Sequence, residues 1–325
     1  MKKAIRCAGA MVLLAGAVGA GLFAKSQTDV SLPQYKMVSG VTGNLNVVGS
    51  DTLNNLMALW AQAFAEIYPN VNIQVQGKGS RTAVPALIQS TAQIAAMSRP
   101  MSPVESAAFE KNFGYAPAQI RVAIDAVALF VHKDNPLTTL SLRQADAIFS
   151  LSCLRGEEKI TRWNELGLSG EFARHGITAY GCDSSCGTFD FFQQAVLKKG
   201  DNAATVNEQS GCAAVVQAVT GDPLGIGYAS VTCLTANVRA LKLSVGDGGQ
   251  AYAPTLQNSL SGDYPLARFL YVYVNRHPVR GVDTLTREFL KFILSQQGRR
   301  IAVDNGYFPL PENIAAQTAA LSEEL

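Results

Sequence analysis

Apolar positions along the chain follow two rhythms. Leu53, Leu56, Met57, Trp60, Phe64 and Ile67 recur at helical spacing, with Ser50 or Asp51 where an N-cap belongs. Shorter apolar runs read as strands, and three of them enter a turn of Gly, Ser, Thr or Asp followed by an amphipathic helix. Leu45 to Val48 enters Gly49-Ser50-Asp51-Thr52, Val71 to Gln76 enters Gly77-Lys78-Gly79-Ser80, and Ile177 to Tyr180 enters the stretch from Gly181 to Thr188. A helix begun this way aims unpaired N–H groups and the positive end of its dipole at the sheet end, and small hydroxyl residues add donors. Three such ends meeting at one point would suit a tetrahedral oxyanion. Taken singly, each turn needs no more than helix capping to explain it.

The other elements suggest how the pieces connect. Pro85 falls in the first turn of a helix through Leu87 and Ile88, and Ile94 to Met97 is a short buried strand ending in Ser98-Arg99-Pro100. Arg121 to His132 is a long apolar run that carries Asp125, and Leu266 to Asn275 is a second one late in the chain. Between them lie further strands and helices: Ile177 to Tyr180, Phe189 to Leu197, Ala213 to Val219 and Gly225 to Ala229. Leu285 to Ile301 reads as one amphipathic helix packing back on the first part. The fold class expected is α/β: two discontinuous α/β domains, 43–131 plus 266–325 and 132–265, joined by two hinge strands across a cleft. Residues 25–42, polar and aperiodic, make an N-terminal arm.

Composition adds the compartment. Lys2, Lys3 and Arg6 precede an apolar stretch from Ala8 to Phe23, with small residues at Ala20 and Ala24, so 1–24 reads as a secretory signal cleaved near one of these. The alternative, an uncleaved anchor, fits poorly because the stretch is short and weakly apolar for a span of about 20 residues. A periplasmic product is expected. About 300 residues then remain, more than one core usually serves. A net charge of +2 without a polybasic block gives no reason to expect nucleic acid. Apart from Cys7, the cysteines are Cys153, Cys182, Cys186, Cys212 and Cys233, an odd number in a chain bound for an oxidising compartment. The histidines, His132, His175 and His277, are scattered, and the Cys-x-x-x-Cys of Cys182 and Cys186 with no neighbouring histidine is poor evidence for zinc, so no metal site is expected.

Seven motifs in order carry a resemblance: Val48-Gly49-Ser50-Asp51-Thr52-Leu53, Gly77-Lys78-Gly79-Ser80, Met97-Ser98-Arg99-Pro100-Met101, Ala147-Ile148-Phe149-Ser150, Trp163-Asn164-Glu165-Leu166-Gly167, Gly187-Thr188-Phe189 and Gly225-Ile226-Gly227-Tyr228. From about Gly43 to Leu310 the chain resembles the phosphate-binding proteins of phosphate ABC transporters. The resemblance implies a two-lobed periplasmic binding protein that closes on inorganic phosphate and delivers it to an inner-membrane permease, without a cofactor and without enzymatic activity. A monomer is expected. It places Ser50, Thr52 and Leu53 at the first helix end, Ser80 at the second, and Ser185, Cys186, Gly187 and Thr188 at the third. Where the family usually has an arginine and a serine in that third loop, this chain has Cys182 and Cys186.

A guanidinium lost from an oxyanion site removes a charge-assisted bond worth about 1.5–3 kcal/mol. Arg99, beside Ser98, stands where some family members carry an aspartate, and it is expected to restore the charge. Asp125 then becomes a candidate acceptor for the proton of monohydrogen phosphate, or else one half of a structural ion pair with Arg99 or another base. Cys182 and Cys186 can pair with each other, pair with Cys153, Cys212 or Cys233, or remain a reactive dithiol at a helix N-terminus; oxidation to disulfides is the expectation. Two other functions stay open, namely a binding protein, sensor or scaffold for another oxyanion, and an exported phosphatase-like protein. Against the latter, a cysteine-type phosphatase needs an arginine six positions after its nucleophile, whereas Cys182 is followed there by Thr188 and Cys186 by Phe192, and neither a His–carboxylate cluster nor a nucleophile elbow with a histidine partner is present.

Overall fold

The computed structural model describes residues 32–323, so the expected signal segment, Cys7 and the start of the arm lie outside the described residues. Strands β1 (Gly43–Gly49) and β2 (Val71–Gln76) pair in parallel from Gly43↔Val71 to Val48↔Gln76, connected by α1 (Asp51–Ile67). The helix starts where Ser50 Oγ accepts the Leu53 N–H at 3.4 Å, and it stops at Tyr68, next to Pro69. Leu53, Leu56, Met57, Trp60 and Phe64 share its buried face. Each of the Leu, Met and Phe side chains contributes about 1.5–3 kcal/mol by burial.

A 3₁₀ turn at Ser80–Thr82 leads into α2 (Ala83–Ile88), and β3 (Ile94–Met97) then lies parallel to β1. Helix α3 (Pro103–Phe113) opens with a reciprocal cap between Ser102 and Glu105. The 15-residue strand β4 (Ala118–His132) follows. Beyond it come β5 (Thr139–Ser141), α4 (Leu142–Phe149), β6 (Thr178–Cys182), α5 (Gly187–Ala195), β7 (Asn207–Gln209), α6 (Cys212–Thr220) and β8 (Gly225–Ser230). Strands β9 (Val238–Ala240) and β10 (Lys242–Ser244), helix α7 (Leu256–Ser261), strand β11 (Ala267–Val274) and helices α8 (Thr284–Ile293), α9 (Gln296–Asp304) and α10 (Glu312–Glu323) complete the order. The main sheet runs β2-β1-β3-β11-β4-β8-β6-β7, with β9 also on β4, while β10 pairs with β5.

Strand β4 belongs to both halves of this sheet. Its residues from Ala118 to Ala126 pair with β11, and those from Val127 to Val131 pair with β8, antiparallel in each case. The apolar core changes with it: one cluster holds Leu45, Trp60, Phe64, Ala123 and Leu270, and another holds Ala126, Phe149, Trp163, Phe192 and Leu266. Strand β11 stays within the first half, against β3 and the start of β4, so the chain returns at Leu266, whose carbonyl accepts the Val127 N–H at 2.9 Å.

One expected element is two. The run from Leu285 to Ile301 breaks between α8 and α9, where Ser295 Oγ donates to the Phe292 carbonyl at 2.6 Å and accepts the Gly298 N–H at 3.3 Å. Apolar periodicity alone does not register such a cap. Ser295→Ala is expected to cost about 1 kcal/mol of unfolding free energy in urea. No change would show that packing, and not the cap, sets the break.

Candidate oxyanion site

The three turns named from the sequence do come together. Thr52 Oγ1, in the first turn of α1, lies 3.3 Å from Thr188 Oγ1, in the first turn of α5. Ser80 Oγ is 3.3 Å from Ser98 Oγ and accepts the Ser98 N–H at 3.1 Å. Gly187 joins the two hydroxyl pairs, because its Cα approaches so closely that a Cβ there would lie 2.2 Å from Ser80 Oγ and 2.5 Å from Ser98 Oγ. Gly79, at φ +97°, lets the second turn press on the third: its would-be Cβ meets the Ser185 carbonyl oxygen at 2.2 Å. Ser80, Ser98 and Thr188 are all 0% exposed. Ser50 caps α1, and the Leu53 N–H is its donor. Ser185 spends its hydroxyl on Asp183 Oδ1, 2.6 Å away, and so faces its own loop.

The charge of the site comes from Arg268, a residue that motif reading passed over. It sits in β11 directly opposite Asp125 of β4. Its Nε and Nη2 donate to Asp125 Oδ2 at 3.0 and 2.8 Å, and Nη2 also donates to Thr188 Oγ1 at 2.9 Å and Thr52 Oγ1 at 3.3 Å. Ser230 donates to Asp125 Oδ1 at 2.5 Å, and the Phe191 ring lies 5.3 Å from the guanidinium carbon. Burial pushes the Asp125 carboxyl up, against the pull of Arg268 and the Ser230 hydroxyl. Arg268 Nη1 is buried without a hydrogen-bond partner. An unsatisfied guanidinium nitrogen among buried hydroxyls is costly unless a ligand takes the bond. The signal in the sequence was a pair of opposite charges, each embedded in a long apolar strand.

Arg99, expected to supply the charge, has its nitrogens engaged elsewhere. Nε reaches Asp190 Oδ2 at 2.6 Å, Nη1 and Nη2 reach the Glu105 carboxylate at 2.7 and 2.8 Å, and Nη1 also binds the Pro100 carbonyl. Arg81 grips Asp190 Oδ1 at 2.6 Å. The four side chains form a latch between α5 and the segment from Arg81 to Glu105, alongside a groove of about 710 Å³ that Val104 and Lys199 also line. The convergence of hydroxyl donors lies away from this groove, at the cluster of Thr52, Ser80, Ser98 and Thr188. Burial disfavours the charges of both Arg99 and Glu105, yet their pairing outweighs it, raising the Arg99 pKa and holding the Glu105 carboxyl below the usual carboxylate range. With Glu105 depressed, its contribution to stability is full above the unfolded pKa and is lost as pH falls through the folded value. Glu105→Gln should therefore flatten the acid side of a Tm-against-pH profile; an unchanged acid limb would show that other carboxylates set it.

The expected disulfides are absent. Cys153, Cys182, Cys186, Cys212 and Cys233 are all free thiols. Cys186 has other work: its Sγ caps α5 by accepting the Thr188 N–H at 3.3 Å and donates to Asp51 Oδ1 at 3.2 Å. Its contact, together with burial, drives the Cys182 thiol well above its ordinary pKa; Cys233 and burial do the same to Cys212. These four thiols therefore stand in two adjacent pairs, neither of them bridged.

A domain model of the PBP superfamily matches residues 37–297. The chain is thus a two-lobed α/β binding protein of that superfamily. The phosphate-binding protein PstS of Pseudomonas aeruginosa is 46% identical over 311 residues, covering 95% of this chain and 96% of that one. The chain belongs to the family of PstS phosphate-binding proteins. Protein SphX of Synechococcus elongatus is 29% identical over 84% of this chain and 78% of its own. Among solved structures, a phosphate ABC transporter substrate-binding protein with bound phosphate from Clostridium perfringens superposes with a TM-score of 0.70 at 25% identity, covering 83% of this chain and all of that one. The ABC-type phosphate transport receptor of Vibrio cholerae, at 24% identity and a TM-score of 0.64, shares the fold over 82% of this chain.

Proposed function

We propose that this chain is an exported solute-binding protein that captures inorganic phosphate between lobes 43–131 plus 266–325 and 132–265 and delivers it to an inner-membrane ABC permease. The observation that carries this reading is the buried, partly unpartnered guanidinium of Arg268 held against Thr52 and Thr188. Thr52, Ser80, Ser98 and Thr188 supply hydroxyls, and the N-termini of α1 and α5 supply N–H groups and dipoles. Arg268 takes the role that Cys182 cannot, and Asp125 fixes its fork. Arg99 serves the latch. The phosphate-binding names and bound ligand of the relatives support the same reading.

Beside this cation, the Asp125 carboxylate favours an anion that still carries a proton to donate and disfavours one that is fully ionised. Calorimetry of the ligand-stripped protein should show phosphate and arsenate binding comparably, with sulfate weaker by about tenfold or more, the worth of one misplaced hydrogen bond at a buried site. The absence of heat and of any thermal shift with millimolar phosphate would exclude the reading. Sulfate binding as tight as phosphate would move it to another oxyanion. The signal at 1–24, the permease partner and the monomeric state are parts of the same proposal. Among the described residues, no helix is long and apolar enough to cross a membrane.

A further inference from the structure

The sulfur-lined wall beside the hydroxyl cluster holds a set of donors that oxyanion capture leaves unused. Asp51 at the start of α1, Cys182 at the end of β6 and Cys186 at the cap of α5 each offer one ligand atom, and these three atoms lie within 4.8 Å of one another. Both cysteines are buried and Asp51 is half-buried, so the carboxylate marks the side open to solvent. Cys186 Sγ stands 3.2 Å from Asp51 Oδ1. A tetrahedral cation bound at about 2.3 Å to sulfur and about 2.0 Å to oxygen would place such a pair about 3.5 Å apart. The spacing already present is close to what a bound ion requires.

The surrounding contacts orient the donors. The Cys212 N–H donates to Asp51 Oδ2 at 3.0 Å, which ties one carboxylate oxygen to α6 and leaves Oδ1 toward the thiols. The Thr188 N–H points at Cys186 Sγ, 3.3 Å away. Hydrogen bonds from outside a ligand set are what hold carboxylates and thiolates in place at metal centres. Two sulfurs with one carboxylate form a borderline-soft set, which suits a d¹⁰ ion such as zinc and not calcium or magnesium.

We propose that Asp51, Cys182 and Cys186 form a three-ligand binding site for a thiophilic divalent cation, zinc, with the fourth position open. On binding, two metal–sulfur bonds form and two S–H bonds break, with both protons passing to solvent. The charge brought by the cation equals the charge lost with the protons, so the Arg268–Asp125 pair next to the site meets no new net charge. The three donors come from both sides of the proposed cleft, two from the segment 132–265 and one from α1, so the cation would tie them together. This inference stands on its own donors and does not depend on phosphate being the anion.

The test is a titration of the reduced, full-length mature protein with Co²⁺, followed by Zn²⁺. The expected result is one equivalent of Co²⁺ with thiolate-to-cobalt charge-transfer absorption, bleached by Zn²⁺. Cys182→Ser and Cys186→Ser should each remove about half of that absorption or more and weaken Zn²⁺ by about tenfold or more. Asp51→Asn should weaken Zn²⁺ while keeping the thiolate band, and it carries the test if a cysteine variant fails to fold by circular dichroism. Cys153→Ser should change nothing. The proposal is overturned if the reduced protein gives no thiolate band, or if the band survives both cysteine substitutions. Mass mapping that finds Cys182 bridged to Cys186 in the exported protein would overturn it too. Phosphate calorimetry on the unsubstituted protein is a separate readout, so failure here leaves the anion reading untouched.

Discussion

Phosphate affinity is expected to fall by two orders of magnitude or more when Arg268 is replaced by alanine. Two charge-assisted hydrogen bonds to the anion are worth about 1.5–3 kcal/mol each. The substitution also leaves Asp125 as an uncompensated buried carboxylate, which costs about 3–5 kcal/mol and adds a negative charge where the anion should sit. Arg268→Lys separates these effects. A lysine keeps the charge opposite Asp125 but loses the planar fork, so it should bind phosphate weakly while recovering most of the thermal stability lost by the alanine variant. Calorimetry together with thermal unfolding reads both. If Arg268→Ala binds phosphate as tightly as the parent, the guanidinium serves only to neutralise Asp125, and neutral donors hold the anion.

Adding a single methyl group at Gly187 should weaken phosphate binding by about 5- to 150-fold, the range of an overpacking cost of about 1–3 kcal/mol. A Cβ there would lie 2.8 Å from Ser80 Cβ as well as against both serine hydroxyls, so a rotamer change at Ser80 does not relieve it. Relief requires α5 to withdraw from the turn at Ser80, which separates Thr188 from Thr52 and Arg268. The cost therefore falls on closure more than on folding, and Gly187→Ala should unfold near the parent temperature while binding poorly. Gly246→Ala is the control, since nothing lies within 4 Å of its would-be Cβ. Parental affinity in Gly187→Ala would show that the hydroxyl cluster tolerates expansion and is not the anion site.

The parts of the fold legible in the sequence were those set by local pattern. Helix α1 announced itself by spacing and cap, β2 and β3 by apolar runs of strand length, and β4 by a run too long for one lobe. Helices α3 and α4 escaped because they are short and weakly apolar along their length, although Ser102 with Glu105 and Ser141 with Gln144 spell the capping pattern. The convergence of Thr52, Ser80, Ser98, Gly187 and Thr188 was legible because a Gly/Ser/Thr turn that opens a helix is a local device. The charge was not. Arg268 and Asp125 are 143 residues apart and meet only through cross-strand register, which no single segment encodes. Arg99, close in sequence to the right hydroxyls, attracted the role by adjacency, but an arginine six residues before a helix-capping glutamate had a nearer partner. The cysteines misled for a different reason: compartment argues for oxidation, whereas geometry gives Cys186 a carboxylate and an N–H as partners.

The guanidinium and its carboxylate lie on β11 and β4, the two strands that run side by side before the chain passes from one half to the other, while the hydroxyls project from turns on either side. If the lobes swing apart about those strands, the fixed charge remains at the floor of the opening and the hydroxyls retreat with their lobes. Attraction and retention then become kinetically separable. Ionic strength should act on the association rate, through Arg268 and the field around it. Dissociation should follow the lifetime of the Arg81–Asp190–Arg99 latch, which must be broken and rehydrated before the anion can leave.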